Sequence, residues 1–84
     1  MEYQIEVRIE LKPGVIDAEG ETVQKSLRLL GFPVSRVKSS KVYEISMEAN
    51  SEEEAKEMGE NACKRLLANP VIQNYSLRIK RGNA

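Results

Sequence analysis

The 84-residue sequence contains no histidine, no tryptophan and only one cysteine, Cys63. A lone cysteine excludes an internal disulfide, and the lack of histidine and of a second thiol leaves a transition-metal site without its usual ligands. Lysine plus arginine and aspartate plus glutamate each number 13, so the formal net charge is zero. This balance argues against nucleic-acid binding, which needs a concentrated basic surface.

Long apolar runs are also absent from the sequence. We therefore expect neither a signal peptide nor a membrane-spanning helix, and with the unpaired thiol this predicts a cytoplasmic protein. A chain of this length buries only roughly 60–65% of its unfolded surface. Small domains often need a disulfide, a metal or a partner chain. Because the first two are disfavoured, we expect a homodimer or a higher homo-oligomer.

Three segments show the period-two alternation of a β-strand with one buried face: 2–12, the second half of 34–49, and about 72–80. The first segment ends at Lys12-Pro13-Gly14-Val15, a sequence that predicts a type II turn. In the second, Ser39 and Ser40 separate a weak pattern over 34–38 from a clear one. We predict two short strands there.

Two segments have helical patterns. The first covers residues 18–30, with Asp17 as N-cap and Gly31 in the position of a left-handed C′ residue. The second begins with a capping box, Ser51 and Glu54, and ends at Asn69-Pro70. The predicted apolar faces are Val23, Leu27 and Leu30 in the first helix, and Ala55, Met58, Gly59, Ala62, Cys63, Leu66 and Leu67 in the second.

The element order is therefore β-α-β(β)-α-β. Because each strand has one polar face, we predict an α+β fold with an antiparallel sheet and two helices packed on one face, a variant of the ferredoxin-like fold. We expect a single domain over residues 1–84, with residues 81–84 as a flexible tail.

Groups for catalysis are scarce in this sequence. Cys63 lies in an apolar helix stripe, which predicts an inert, buried thiol. Gly14 and Gly20 flank a helix start, but no phosphate-binding motif follows them. We therefore predict no catalytic, cofactor-binding or metal-binding residue. The carboxylates of the polar sheet face are expected to be solvated or at an interface, and able to pair across strands with Arg8, Arg78 and Lys80.

The three tyrosines help to decide whether the chain could be an RNA-recognition module, a fold that also packs two helices on one sheet. Such modules stack bases on aromatic side chains of the open sheet face. Tyr3, Tyr43 and Tyr75 share the phase of the aliphatic residues, so they should point towards the core. The sequence therefore disfavours RNA binding.

Four motifs stand out along nearly the whole chain: Leu11-Lys12-Pro13-Gly14-Val15-x-Asp17-x-x-Gly20, Leu30-Gly31-Phe32, Ser51-Glu52-Glu53-Glu54-Ala55 and Cys63-x-x-Leu66-Leu67-Ala68-Asn69-Pro70-Val71-Ile72-x-Asn74-Tyr75. Together these motifs resemble those of the PurS family. Ser39-Ser40 is a departure, because relatives often have a glycine before the central strand.

The resemblance implies a small, non-catalytic subunit of phosphoribosylformylglycinamidine synthase. Such a subunit joins a PurL-type synthetase and a PurQ-type glutaminase, and supports the transfer of ammonia between them. The complex uses glutamine and ATP to convert formylglycinamide ribonucleotide into formylglycinamidine ribonucleotide. The synthetase is expected to bind the ATP and magnesium, so this chain would need no cofactor.

Partner contacts are expected at the first turn and the following helix start, and after the second helix. Contacts between identical copies could use the polar sheet face or an exposed edge strand. The alternative function is a ligand-sensing regulatory domain of similar topology. The candidate contact residues for the other subunits are Lys12, Pro13, Gly14, Asp17 and Gly20, followed by Asn69 and Pro70.

Overall fold

The computed structural model describes residues 1–81. Within them, no helix is long and apolar enough to cross a membrane. The elements are β1 (Glu2–Leu11), α1 (Ala18–Leu29), β2 (Ser40–Glu48), α2 (Glu52–Ala62), a π-helical turn (Cys63–Leu67) and β3 (Gln73–Arg81).

The three strands form one sheet in the order β2-β1-β3, and both pairings are antiparallel. The register places Ile5 of the central strand between Ile45 and Ile79. Because side chains alternate across a strand, this register directs the apolar residues of all three strands to the same face. The predicted α+β class, with an antiparallel sheet and two helices, is confirmed.

The core lies between this apolar face and α2. Ile5 and Val7 are completely buried, and burial of such side chains stabilises the fold by about 1.5–3 kcal/mol each. Tyr43 and Tyr75 pack against the core from the outer strands, as predicted for the tyrosines. The buried residues are Tyr3, Ile5, Val7 and Ile9 of β1, with Ala49, Ala55, Cys63 and Ala68.

Both helix starts use the predicted caps. The Asp17 carboxylate accepts a hydrogen bond from the Gly20 N–H at 2.9 Å, and the Ser51 hydroxyl accepts one from the Glu54 N–H at 3.1 Å. The Glu54 carboxylate accepts from the Asn50 N–H, one residue earlier than in a standard capping box. The bond to Ser51 satisfies a backbone donor that the helix itself leaves free, and the bond to Glu54 satisfies the donor of the residue before the N-cap.

The C-terminal end of α1 is also as predicted. Gly31 has a φ of +93°, and its N–H donates to the carbonyl of Arg28. The Phe32 N–H donates to the carbonyl of Leu27, which completes a Schellman motif.

The prediction of two strands over 34–49 is wrong, because residues 34–39 form no strand. Side chains of α1 bind this segment instead. The Arg28 guanidinium donates to the carbonyls of Val34 and Ser35 at 3.0 Å, and the Gln24 side-chain oxygen accepts from the Val37 N–H at 3.1 Å. Backbone groups held by a helix are not free to join a sheet ladder.

The end of the second helix also differs from prediction. The Ala68 N–H donates to the carbonyl of Cys63, five residues earlier, so the last turn is π-helical. The wider turn keeps Leu67 partly buried against the core and leaves Leu66 83% exposed. Leu66 is therefore not part of the buried stripe.

The two helices differ in how closely they pack on the sheet. α2 packs on β1 and β3, whereas α1 has only slight contact with the strands of its own chain. Within α1 only Gly20 is buried. α1 is held mainly by its side-chain bonds to residues 34–39, and its apolar face is left open.

At the other end of the chain, Arg81 belongs to β3 and not to a tail, and residues 82–84 of the predicted tail lie outside the described residues.

Candidate functional site

The turn after β1 has the predicted geometry. The Val15 N–H donates to the carbonyl of Lys12 at 3.1 Å, and Gly14 has a φ of +89°. Proline favours the second position of a type II turn, and glycine accommodates positive φ at the third. Pro13 and Gly14 are both exposed at the tip of this turn. The sequence thus determines a rigid projection at this end of the sheet.

The loop before β3 lies beside this turn. The Lys12 N–H donates to the carbonyl of Ile72 at 2.8 Å, which brings together two segments about sixty residues apart. Within the loop, the Asn69 side-chain oxygen accepts from the Val71 N–H at 3.0 Å, and the Asn69 N–H donates to the Gln73 side chain at 2.7 Å. The asparagine therefore shapes the loop and leaves Pro70 exposed. We call residues 12–17 and 66–72 together the loop surface.

Three apolar side chains of the loop surface were missed by the sequence analysis. Ile16 is 75% exposed, Leu66 83% and Val71 77%. The positions of Ile16 and Val71 in loops, beside a glycine turn and a proline, were a usable signal. Leu66 could not be found, because only the π-helical turn directs it outward. Ile16 and Val71 lie in the two loops that the bond from Lys12 to Ile72 joins, and exposed apolar side chains are frequent at protein contact sites.

Asp17 connects the start of α1 to the start of β2. One carboxylate oxygen accepts from the Gly20 N–H and from the Ser39 hydroxyl, and the other accepts from the Ser39 N–H at 2.7 Å. The bonds from the Ser39 N–H and hydroxyl, and then that from Gly20, hold the pKa of the Asp17 carboxyl below its ordinary value of 3.8. Lys38 adds a smaller effect of the same sign. Asp17 is therefore a charged structural link.

Steric crowding around position 20 requires glycine there. A Cβ atom at this position would lie 2.7 Å from the carbonyl oxygen of Val37 and 2.6 Å from an Asp17 carboxylate oxygen. Such distances are too short for any side chain, so glycine allows α1 and residues 36–39 to approach each other. Gly20 is buried, and it shapes the neighbouring surface instead of presenting a side chain to it.

An open groove of about 730 Å³ runs between the turn, α1 and the segment before β2. Its walls carry both signs of charge, with Lys12, Arg36 and Lys38 near Glu10 and Glu21. It brings together Lys12, Pro13, Gly14 and Asp17, while Gly20, Asn69 and Pro70 do not line it. Its lining holds no histidine or cysteine, so it offers polar contacts but neither an imidazole base nor a thiol.

Cys63 lies away from this groove, in the core beneath the π-helical turn. Burial, with a smaller effect from Glu60, raises the pKa of the Cys63 thiol above its ordinary value of 9.0. A thiol that is buried and protonated is a poor nucleophile. Its predicted structural role fits this setting.

The polar face of the sheet does not form the cross-strand ion pairs that the sequence suggested. Arg78 lies opposite Glu6 in the register, yet the one ion pair within residues 1–81 joins the Met1 amino group to Glu48 at 3.2 Å. Glu44 lies opposite Glu6 on the other side. This face is a solvated, mixed-charge surface.

Comparison with known proteins places these features in a family. Residues 4–81 match the family model described as PurS, phosphoribosylformylglycinamidine (FGAM) synthase. The PurS subunit of phosphoribosylformylglycinamidine synthase from Archaeoglobus fulgidus is 55% identical over 73 residues, which cover 86% of this chain and 91% of that protein.

Solved structures agree with the sequence comparison. PurS from Thermus thermophilus has a TM-score of 0.89 and 39% identity, with coverage of 99% of this chain and 100% of that one. A chain in the structure of PurLQS from Thermotoga maritima has a TM-score of 0.88 and 31% identity, with coverage of 95% and 99% respectively. The fold and nearly the full length of the chain are therefore shared with these proteins.

Proposed function

Because this chain belongs to the PurS family, we propose that it is the non-catalytic small subunit of a phosphoribosylformylglycinamidine synthase. In this proposal it joins a PurL-type synthetase to a PurQ-type glutaminase in the cytoplasm, as a homodimer or higher homo-oligomer. The complete enzyme uses glutamine and ATP to convert formylglycinamide ribonucleotide into formylglycinamidine ribonucleotide. ATP and magnesium bind to the synthetase subunit, and this chain contributes no reacting group.

The observation that carries the proposal is the likeness of this chain to one in the PurLQS structure from Thermotoga maritima, over nearly the full length of both chains. The chemistry of the surface supports the same role. The groove is lined by no histidine or cysteine, and Cys63 is buried, so the accessible surface of residues 1–81 is better suited to contact than to a reaction.

The loop surface is the proposed site of contact with the larger subunits. It combines a rigid turn at Pro13 and Gly14 with the exposed side chains of Ile16, Leu66 and Val71. Rigid apolar projections bind well, because little conformational entropy is lost when they are covered. Asp17, Gly20 and Asn69 act through the shape of this surface, since their bonds and packing hold its loops in place.

The proposed contribution to catalysis is positional. A glutaminase releases ammonia, which must reach the synthetase site before it escapes to water. Holding two active sites in a fixed relation replaces a diffusive encounter with a local one, and such positioning can lower a barrier by several kcal/mol. A small subunit that binds both partners can supply this without a catalytic residue.

Reconstitution tests the proposal. The synthetase and glutaminase of the same organism would be mixed with and without this chain, and formylglycinamidine ribonucleotide formation from glutamine would be measured. We expect glutamine-dependent activity only in the complete mixture. Activity driven by added ammonia, which bypasses the glutaminase, serves as the control for an intact synthetase. Equal glutamine-dependent activity in both mixtures would refute the proposal.

Substitutions on the loop surface test the proposed contact site. Ile16→Lys and Val71→Lys place a charge at exposed positions, so the fold should persist while assembly weakens. Val42→Lys is the matched control, because Val42 is an exposed apolar residue on the polar sheet face. Co-elution of the three subunits and glutamine-dependent activity are the readouts. Loss of assembly with Val42→Lys alone would place the contact elsewhere.

The groove allows a direct test of the alternative function. A ligand-sensing domain should bind a metabolite on its own, whereas an assembly subunit need not. Calorimetric titration of the isolated chain with amino acids and nucleotides separates the two. Saturable binding, lost on substitution of Arg36 or Lys38 in the groove, would support the sensor.

A further inference from the structure

The π-helical turn at the end of α2 changes which of two leucines is buried. In a regular α-helix, Leu66 would follow Ala62 on the apolar stripe, because residues four positions apart share a face. The bond from the Ala68 N–H to the Cys63 carbonyl, at 2.9 Å, widens the turn by one residue. Leu67 then packs against the core, and Leu66 is left 83% exposed.

The exposure of Leu66 brings no benefit to the isolated fold. Burial of a leucine side chain is favourable, and a π-helical turn is a rare departure from the α-helix that is frequent at functional sites. Positions where the local structure opposes the hydrophobic pattern are expected where a surface serves a function. Leu66 is therefore a candidate anchor for another protein.

The backbone on both sides of Leu66 is fixed. Cys63 before it and Ala68 after it are both buried, so the two ends of the π-helical turn are held in the core. The loop that follows is closed by the Asn69 carbonyl, which accepts from the Gln73 N–H at 2.8 Å. A side chain that projects from a rigid backbone loses little conformational entropy when a partner covers it.

Cationic side chains dominate the loop surface. With the adjoining part of the π-helical turn it contains one carboxylate, that of Asp17, and three cations, those of Lys12, Lys64 and Arg65. The Asp17 carboxylate already accepts three hydrogen bonds from its own chain. Within residues 1–81 none of the three cations forms an ion pair, not even Lys64 with Glu60 one turn before it. In a chain of zero net charge, this end is locally basic.

We propose that Leu66 anchors this chain to one of the larger subunits, by entering an apolar pocket whose rim carries carboxylates. The base of the pocket covers Leu66, and the carboxylates lie opposite Lys64 and Arg65, where they steer the encounter and fix its orientation. A nucleic acid would match the cations but offers no apolar pocket for a leucine, so an acidic protein surface is the better fit. This inference rests on the proposed function and adds to it the chemistry of the partner surface.

Binding kinetics test the anchor. The synthetase and the glutaminase of the same organism would be immobilised separately and together, with glutamine and ATP present, and binding of this chain would be followed. Leu66→Ser should raise the Kd about tenfold or more, mainly through faster dissociation, because the apolar contact is lost. Leu66→Met should keep most of the affinity, since the two side chains are similar in volume. Val42→Ser, on the polar sheet face, is the matched control and should leave the Kd unchanged.

The same measurement tests the acidic rim. Lys64→Glu with Arg65→Glu should slow association about tenfold or more at low salt, and the difference from wild type should shrink as the salt concentration rises, because salt screens exposed charges. Lys56→Glu with Lys80→Glu makes the same change in net charge at exposed positions of α2 and β3. This control should alter association much less.

The possible results separate this inference from the proposed function. If wild type binds, and either Leu66→Ser or the variant with both glutamates at 64 and 65 binds equally well, the inference is wrong and the proposed function stands. If wild type binds neither subunit nor their mixture, the proposed function fails and the inference with it. Light scattering of the free chain completes the test. A changed mass for Leu66→Ser would assign Leu66 to a contact between copies, and would likewise overturn the inference.

Discussion

The carboxylate of Asp17 accepts hydrogen bonds from both the backbone N–H and the hydroxyl of Ser39, each at 2.7 Å. The two residues are 22 positions apart in the sequence. The contact ties the first turn of α1 to the residue before β2, and so sets one wall of the groove. A serine hydroxyl gives the aspartate one donor that a glycine at position 39 would lack.

Asp17→Asn should lower stability in a pH-dependent way. In the folded state the pKa of Asp17 is held below 3.8, so the ionised form is favoured by folding. Its contribution is therefore complete above the ordinary pKa and is lost as the pH falls through the folded value. The difference in Tm between wild type and variant should be largest at neutral pH and shrink below pH 3.8. Glu19→Gln is the control, and a pH-independent difference would contradict the assignment.

Gly20→Ala should destabilise the protein by about 1–3 kcal/mol, because a Cβ atom would overlap the Val37 carbonyl. Helix propensity alone predicts the opposite sign, since alanine is favoured over glycine by about 1 kcal/mol in a helix. Chemical denaturation at fixed chain concentration measures the difference. Ser26→Ala, at an exposed position of the same helix, should change stability by less than about 0.5 kcal/mol. A stabilising Gly20→Ala would show that the close approach is not required.

Ser51→Ala should cost about 1 kcal/mol, because the Glu54 N–H at the start of α2 loses its acceptor. For a domain of this size the corresponding fall in Tm is roughly 4–8 °C. Ser51→Asp should restore most of the loss, since aspartate is also a good N-cap and suits the helix dipole. An equal loss in both variants would mean that the cap bond is not the cause.

Cys63 should react with a thiol reagent only when the core opens. The side chain is fully buried and its pKa is raised, so both access and ionisation oppose reaction. Labelling should slow tenfold for each 1.4 kcal/mol that opening costs. A variant with Cys63→Ala and Ser26→Cys supplies an exposed thiol for comparison. Labelling of native Cys63 at the rate of the exposed thiol would contradict its placement in the core.

The features predicted correctly from the sequence are those with local causes. Strict alternation over residues 2–12 predicted β1, and the cap residues Asp17 and Ser51 predicted both helix starts. Gly14 and Gly31 have the positive φ values expected of their turns. In each case, neighbouring residues determine the conformation through backbone sterics or a short hydrogen bond.

The errors came from interactions between distant residues. Residues 34–39 have only a weak apolar pattern, Val34 and Val37, and the side chains of Gln24 and Arg28 take their backbone groups away from the sheet. The π-helical turn changes the phase of the last turn and exposes Leu66. Neither effect leaves a periodic signal in the sequence.

The candidate site also combines features with local causes and features that depend on distant contacts. Lys12, Pro13, Gly14, Asp17 and Gly20, with Asn69 and Pro70, were proposed from turn chemistry and family resemblance, but the proximity of the two loops depends on the bond from Lys12 to Ile72. The exposure of Ile16 and Val71 could have been inferred from their loop positions, whereas that of Leu66 depends on the π-helical turn.

The three alternating strands, both helix caps, the tight turn and the family could be read from the amino-acid sequence, because each depends on residues within a few positions of one another or on a shared pattern. The folded chain was needed to show that the two loops meet, that Asp17 binds Ser39, and that α1 keeps its apolar face uncovered. Those features depend on which distant groups come into contact in the folded chain. A hydrophobic pattern predicts that a helix face is buried, but it does not identify the surface that buries it.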